Sequence, residues 1–386
     1  MKIKRVLAIL LCMSLLIVPA VGCRSNEDDG YLHENGTDNP PPDSTPAPSS
    51  EDSDPLEEAE EILRLLNEQI GSDNFVEFFR DMMFEHSEDM GGLLSFPDGY
   101  LFREGDMVLE FYEVTKGLNI GEISGIVETM YGYHIILKLP VNYDSVPIEL
   151  SGSGDPPSLR LLAALDDFRL RHSEWSDAVR AELEYSPEFE ALDFASVFGS
   201  EYDFDTSFSA LTPDTVMMSS GDLSISWAHF YVFLFPIVTS IIFSNESANT
   251  DVDWHEEDNA GYTLAERVME DASEEAISFL TYMYSIQVNN IVLSEDDLQI
   301  LDERIESILD HYDGIENLEE ELRNNSGYYN LEIFTDFLTL ITGIDILFDT
   351  LYGEDGSEVS DELVAAYVEL NGYLMAMHIL RMKPGF

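Results

Sequence analysis

A chain of 386 residues, 45% of them hydrophobic, is long enough for two or three domains with cores of their own. Its 18 basic residues stand against 77 acidic ones, a formal charge of −59 with the histidines neutral. A surface of that sign repels nucleic acid and anionic headgroups and excludes both as ligands, while it suits solubility and basic clients.

Lys2, Lys4 and Arg5 precede an apolar run from Val6 to Val21, the charged-then-hydrophobic layout of a secretion signal. The run is short for a membrane span and closes on Ala20-Val21-Gly22-Cys23, small residues before a cysteine that look like a bacterial lipobox. Cys23 would then be the lipidated first residue of the mature chain, anchoring it to the extracytoplasmic face of the cell membrane. With Cys12 inside the signal, the mature chain would hold one cysteine and no internal disulfide. Residues 23–54 are rich in Asp, Glu, Ser, Pro, Asn and Gly and read as a disordered tether. Fully extended, about 31 residues reach roughly 100 Å, enough to hold a domain clear of a membrane and cell wall.

Structure is expected from Asp54-Pro55, where Asp54 can cap a helix, Pro55 suits its first position, and Glu57 and Glu58 favour its positive end. Leu56, Ala59, Ile62, Leu63, Leu66 and Ile70 recur at helical spacing up to Gly71. A second helix carries Phe75, Phe78, Phe79, Met82 and Met83. A polar loop follows at 86–92, then a turn at Pro97-Asp98-Gly99 and a short helix over 108–115. Met107 and Phe111, four residues apart, would share a helix face. Ser151 to Pro157 reads as a linker, followed by amphipathic helices at about 158–184 and a loop to Ser220. From Ile225 the pattern is nearly all helical. Its apolar run, with Phe230, Phe233, Phe235 and Ile237 and a proline inside, reads as a buried helix. Thr263 and Ser294 look like helix caps.

Tyr133 to Leu139 is mostly aromatic or β-branched and reads as a strand with His134 on the face opposite Tyr133 and Ile135. A histidine in an apolar strand is usually a satisfied core residue. A second apolar segment, Leu374 to Met382, however, places His378 in the same kind of setting. On its own such a strand would leave its N–H and C=O groups unpaired and its Met, Ile and Leu side chains in water. Pairing of 375–381 antiparallel with 133–139, within the chain or across a domain-swapped dimer, would bring the two histidines together.

Between Glu57 and Leu139 the chain resembles the parvulin family of peptidyl-prolyl cis/trans isomerases. The resemblance is carried by the two-helix lead-in, His86-Ser-Glu-Asp89, Gly105-Asp-Met-Val-Leu-Glu-Phe111, Gly121-Glu-Ile-Ser124 and Gly132-Tyr-His-Ile-Ile136. The family's first strand, a small residue, any residue, then His-Ile-Leu, is missing there and matches Ala376-Met-His-Ile-Leu380 instead. The stretch from Gly221 to Tyr373 is similar to the helical chaperone module that precedes that strand in secreted foldases of the PrsA/SurA kind. The resemblance thus implies a circularly permuted α+β foldase: a parvulin domain with a small antiparallel sheet and flanking helices (55–145), a linker and C-terminal-type helices (146–199), a helical chaperone module (200–374) and a completing strand (375–386). Met382 to Phe386 and Ser53 to Pro55 read as the cut ends of one opened loop.

By the same resemblance, His134 and His378 pair beneath the active site, Asp89 takes the polar catalytic position and Thr129 joins their hydrogen bonds. Met107, Phe111 and Phe102 would wall the proline pocket. The substrates implied are unfolded or newly exported polypeptides containing X-Pro bonds, and no cofactor is implied. The family's Gly-Gly-x-Leu-Gly turn is replaced by Phe96-Pro-Asp-Gly-Tyr100, which leaves a competing reading: a holdase whose parvulin domain serves as a peptide clamp. A solute-binding lipoprotein would need two alternating α/β lobes, and repeated βαβ patterning is missing. Trp254-His-Glu-Glu-Asp258 has no second histidine at helical spacing, so the metal reading is weak.

Overall fold

The computed structural model describes residues 54–152, 155–198, 207–208, 211–248 and 251–385. Cys23, the signal and the tether as far as Ser53 lie outside the described residues. The chain begins with α1 (Pro55–Asn67), α2 (Phe75–His86), α3 (Met90–Ser95), β1 (Tyr100–Phe102), α4 (Leu109–Gly117), β2 (Val127–Glu128) and β3 (Gly132–Leu139). Then follow α5 (Leu159–Ala181), β4 (Leu183–Tyr185), α6 (Pro187–Glu190), α7 (Phe194–Val197), β5 (Val216–Ser220) and β6 (Leu223–Ser226). The remainder is α8 (Trp227–Ala248), α9 (Leu264–Val288), α10 (Glu295–His311), α11 (Ile315–Ser326), α12 (Leu331–Tyr352), α13 (Asp361–Asn371) and β7 (Leu374–Met382).

Two compact units result: one takes 165–354, the other the described residues up to Ala164 together with those from Asp355 onward. These borders differ from the expected 145/146 and 374/375. The physical reason is local: Arg160 bonds the carbonyl of Val359 (2.8 Å) and the Asp361 carboxylate (3.0 Å), and Gly356 sits against the backbone of Arg160 and Leu161. The last loop and α13 are thereby held with the sheet-bearing unit.

In that unit four antiparallel strands run in the order β1-β7-β3-β2. β7 lies between β1 and β3, paired from Leu139↔Met375 to Gly132↔Met382. Residues 375–381 therefore oppose 133–139 within one chain. At Gly132 a Cβ would lie 2.1 Å from the Arg381 carbonyl oxygen, so the close approach at this end of the pair requires glycine. α1 is capped by Asp54, whose side chain accepts from the Leu56 N–H at 3.1 Å, and buries Ala59, Ile62 and Leu66. α1 and α2 pack on β7, and α1 on β3 as well. Strand alternation puts His134, Ile136, Ala376 and His378 on one sheet face, where Phe102, Phe111, Tyr112 and Val127 complete a cluster around Ile136 and Ala376.

The other unit is built on α8, whose Trp227, Phe230, Tyr231, Leu234 and Val238 are all buried. Trp227–Asn245 has the length and apolarity to cross a membrane, but these side chains serve the unit's core. Thr263 and Ser294 form capping boxes on α9 and α10, as their positions before Glu266 and Asp297 suggest. The expected loop to Ser220 contains elements instead, α6, α7 and β5, and β5 is the middle strand of a three-stranded sheet β4-β5-β6. Its strands have only three to five residues, too few for alternation to show in sequence. The β5–β6 hairpin turns at Gly221-Asp222, with Gly221 at φ +57°. The expected loop at 86–92 also ends early, because the Leu93 N–H bonds the Asp89 carbonyl (3.0 Å) and starts α3.

β7 supplies an inner strand, so its removal leaves β1 and β3 without their shared partner. Deleting 375–386 is expected to remove hydrogen-exchange protection from the amides of 132–139. Protection equal to that of the intact chain would contradict this.

Candidate active site

The 86–89 loop is fastened to β7 and carries Asp89 with it. Glu88 N–H donates to the Leu380 carbonyl (2.9 Å), Leu380 N–H to Ser87 Oγ (3.1 Å), and Met382 N–H to Glu88 Oε2 (2.6 Å). Arg381 reaches the His86 carbonyl (2.9 Å) and pairs with Glu58 of α1. Asp89 Oδ2 then lies 2.7 Å from His378 Nε2. Beyond it, His378 Nδ1 lies 3.0 Å from His134 Nδ1, and His134 Nε2 lies 2.8 Å from Thr129 Oγ1. The two imidazoles stack with centroids 5.1 Å apart and 16° between planes.

One assignment of hydrogens satisfies every bond. Thr129 O–H donates to His134 Nε2, His134 Nδ1–H to His378 Nδ1, and His378 Nε2–H to an ionised Asp89. Thr129 Oγ1 in turn accepts from the Tyr131 N–H (3.2 Å). All the side-chain donors therefore point toward one carboxylate. Burial pushes the Asp89 carboxyl up, but the hydrogen bonds from His378 and Tyr100 outweigh it and hold it well below the usual range. His134 is driven the other way from its ordinary 6.5, to about 3, chiefly by burial, with the Asp89 charge opposing.

Phe111 stands edge-on to both rings, its centroid 5.7 Å from that of His134 and 5.2 Å from that of His378. Phe102 meets Phe111 at 5.6 Å, and both are fully buried. Met107 packs against the same cluster but precedes α4, which begins at Leu109, so it shares no helix face with Phe111. The local cause is the turn at 104–106, held by the Arg103 N–H on the Asp106 carboxylate (2.8 Å). The structure thus brings together His134, His378, Asp89, Thr129, Phe111 and Phe102, with Met107 at the cluster's edge. In the other unit, Asp258 is occupied by Arg267 (2.8 Å).

Sequence reading missed Tyr100. From the first position of β1 its O–H donates to Asp89 Oδ2 at 2.6 Å, the same oxygen that faces His378. Burial, then this bond and the carboxylate's charge, raise the phenol's pKa, so it remains a donor. Gly92 makes room: a Cβ there would stand 2.7 Å from Asp89 Oδ2 and 3.3 Å from Tyr100 Cε2. The Gly91-Gly92 pair followed by an aromatic after Pro97-Asp98-Gly99 was the available signal.

The site is thus a small antiparallel sheet carrying paired histidines, an adjoining carboxylate and a phenylalanine wall. Residues 43–139 match the rotamase family described as the PPIC-type PPIASE domain. The chain is similar to the foldase protein PrsA of Halalkalibacterium halodurans, 41% identical over 81 residues, which cover 21% of this chain and 22% of that protein. It is likewise similar to the foldase protein PrsA of Geobacillus kaustophilus, 43% identical over 60 residues, 16% of this chain and 21% of the relative. The chain thus spans about a fifth of the length of the curated relatives it matches. No solved structure matches it significantly. The family match ends at Leu139 and leaves out β7, although β7 lies between two of the matched strands.

The neutral His134 has a pH signature. Unfolded, it binds a proton near 6.5; folded, it resists to about 3. Its contribution is therefore full above 6.5 and lost as pH falls toward 3, by about 1.4 kcal/mol per pH unit. Asp89 adds a loss in the same direction at lower pH, below its ordinary 3.8. Between pH 7 and pH 5 in urea, wild type is expected to lose about 2 kcal/mol more than His134→Gln. Equal losses would show that the folded ring is not held neutral.

Proposed function

We propose that this protein is a peptidyl-prolyl cis/trans isomerase acting on unfolded or newly exported polypeptides that contain X-Pro bonds. The observation that carries this reading is the chain Asp89–His378–His134–Thr129 set against the Phe111 ring. An X-Pro bond rotates against a barrier of about 18–20 kcal/mol because twisting removes amide resonance. No covalent bond is made or broken, so the site requires neither nucleophile nor cofactor. What it must do is bind the twisted amide better than the planar one. Phe111, Phe102 and Met107 offer an apolar wall for the proline ring. Asp89, kept ionised, presents a fixed charge beside the carbonyl that turns, and the histidine pair holds that charge in place without reorganisation.

In this reading Cys23 carries the lipid anchor, 23–54 is the tether, and the protein works on the extracytoplasmic side of a bacterial membrane. The PrsA similarity supports that placement. The order of elements is a circular permutation, with β7 as the parvulin first strand and the helical unit as a chaperone module that holds clients. A second reading, a peptide clamp with little turnover, draws on Tyr100: its bond to Asp89 takes up acceptor capacity that a substrate would otherwise use.

A protease-coupled prolyl peptide assay decides between them. Catalysis through Asp89 predicts that Asp89→Ala lowers the rate by about 10²-fold at an unchanged far-ultraviolet spectrum. Equal rates for the two proteins would remove Asp89 from the mechanism and leave the clamp.

A further inference from the structure

In the helical unit, residues of α8, α9, α12 and β6 line an open cavity of about 420 Å³. Its wall is apolar: Phe279, Met283 and Ile286 come from one face of α9, and Leu340 from α12. His229 and Asp336 face each other there, His229 Nε2 donating to Asp336 Oδ2 at 3.1 Å. Ser226, 2.8 Å from Nδ1, fixes the other side of the ring. Leu223 and the exposed Ser224 of β6 form a further wall.

β6 is an edge strand, hydrogen-bonded to β5 and, among the described residues, to no strand on its other side. A strand edge without a strand partner beside an apolar cavity is a combination that can capture extended polypeptide: the edge binds main chain and the cavity takes every second side chain. The charge of the surroundings selects among such segments. Between 165 and 354 the chain has Arg169, Arg171, Arg180, Arg267, Arg304 and Arg323 as its only strong cations and no lysine, amid a large acidic excess. Asp336, at the cavity, is half exposed.

We propose that β6 and the cavity beside it form a second client site, which binds an unfolded segment in extended form with a large apolar side chain in the cavity and a flanking lysine or arginine near Asp336. This rests on the reading of the helical unit as a client-holding module. It is independent of proline and of the isomerase chemistry.

The test uses the full chain and a fluorescein-labelled, proline-free peptide alternating lysine or serine with leucine and phenylalanine, followed by anisotropy. Three comparisons are made: Met283→Arg protein, the same peptide N-methylated at alternate residues to prevent strand pairing, and the peptide with glutamate for lysine. Each is expected to weaken binding at least about tenfold, with prolyl isomerisation by Met283→Arg unchanged. Wild-type binding that survives both Met283→Arg and N-methylation would overturn the site while leaving the client-holding reading standing. No binding by wild type would overturn both. The N-methylated peptide decides the matter if Met283→Arg fails to fold.

Discussion

The structure of the sheet-bearing unit depends on one pairing, β7 with β3. Leu374–Met382 carries apolar side chains and backbone groups that need partners, and β1 and β3 need a strand between them. Satisfying both brings the His378 and His134 rings to 3.0 Å, although 244 positions separate them in sequence. The same strand anchors the 86–89 loop through main-chain bonds and so delivers Asp89. Fold and site therefore share one cause.

The polar chain is electrically lopsided. The buried His134 imidazole, which stays neutral, leads through His378 to a single carboxylate that stays charged, and Tyr100 adds a second donor to the same oxygen. A buried charge persists only when hydrogen bonds replace the water it has lost. Here the donors do so and also fix the position of the charge. That preorganisation is what a reaction without bond cleavage can use. Tyr100 serves it as well, replacing a solvent bond that would fluctuate with a rigid one.

Much of this was legible in the sequence because it obeys local rules. The caps at Asp54, Thr263 and Ser294 are short-range chemistry. The pairing of 133–139 with 375–381 is not local; it was legible through the resemblance to the parvulin family, whose first strand is matched by Ala376-Met-His-Ile-Leu380. Tyr100 was less accessible: its role depends on the path of the 96–99 turn and on the space left by Gly92, and neither is a periodicity. Met107 was misplaced on a helix because spacing alone cannot show the turn at Arg103–Asp106. The β4-β5-β6 sheet escaped notice because strands this short show no alternation, although Gly221-Asp222, with Met217 and Met218 before it and Leu223 and Ile225 after it, marked its hairpin.

The central claim is that two distant parts of one chain build a single isomerising site, one of them lying outside the stretch that matches the rotamase family. The most direct measurement is cis/trans exchange of a prolyl peptide, followed by NMR in the presence of the full-length protein or of His378→Ala, with amide spectra confirming that the fold is retained. The account predicts that exchange catalysis collapses in His378→Ala. Undiminished catalysis would contradict it and confine the site to residues 54–139.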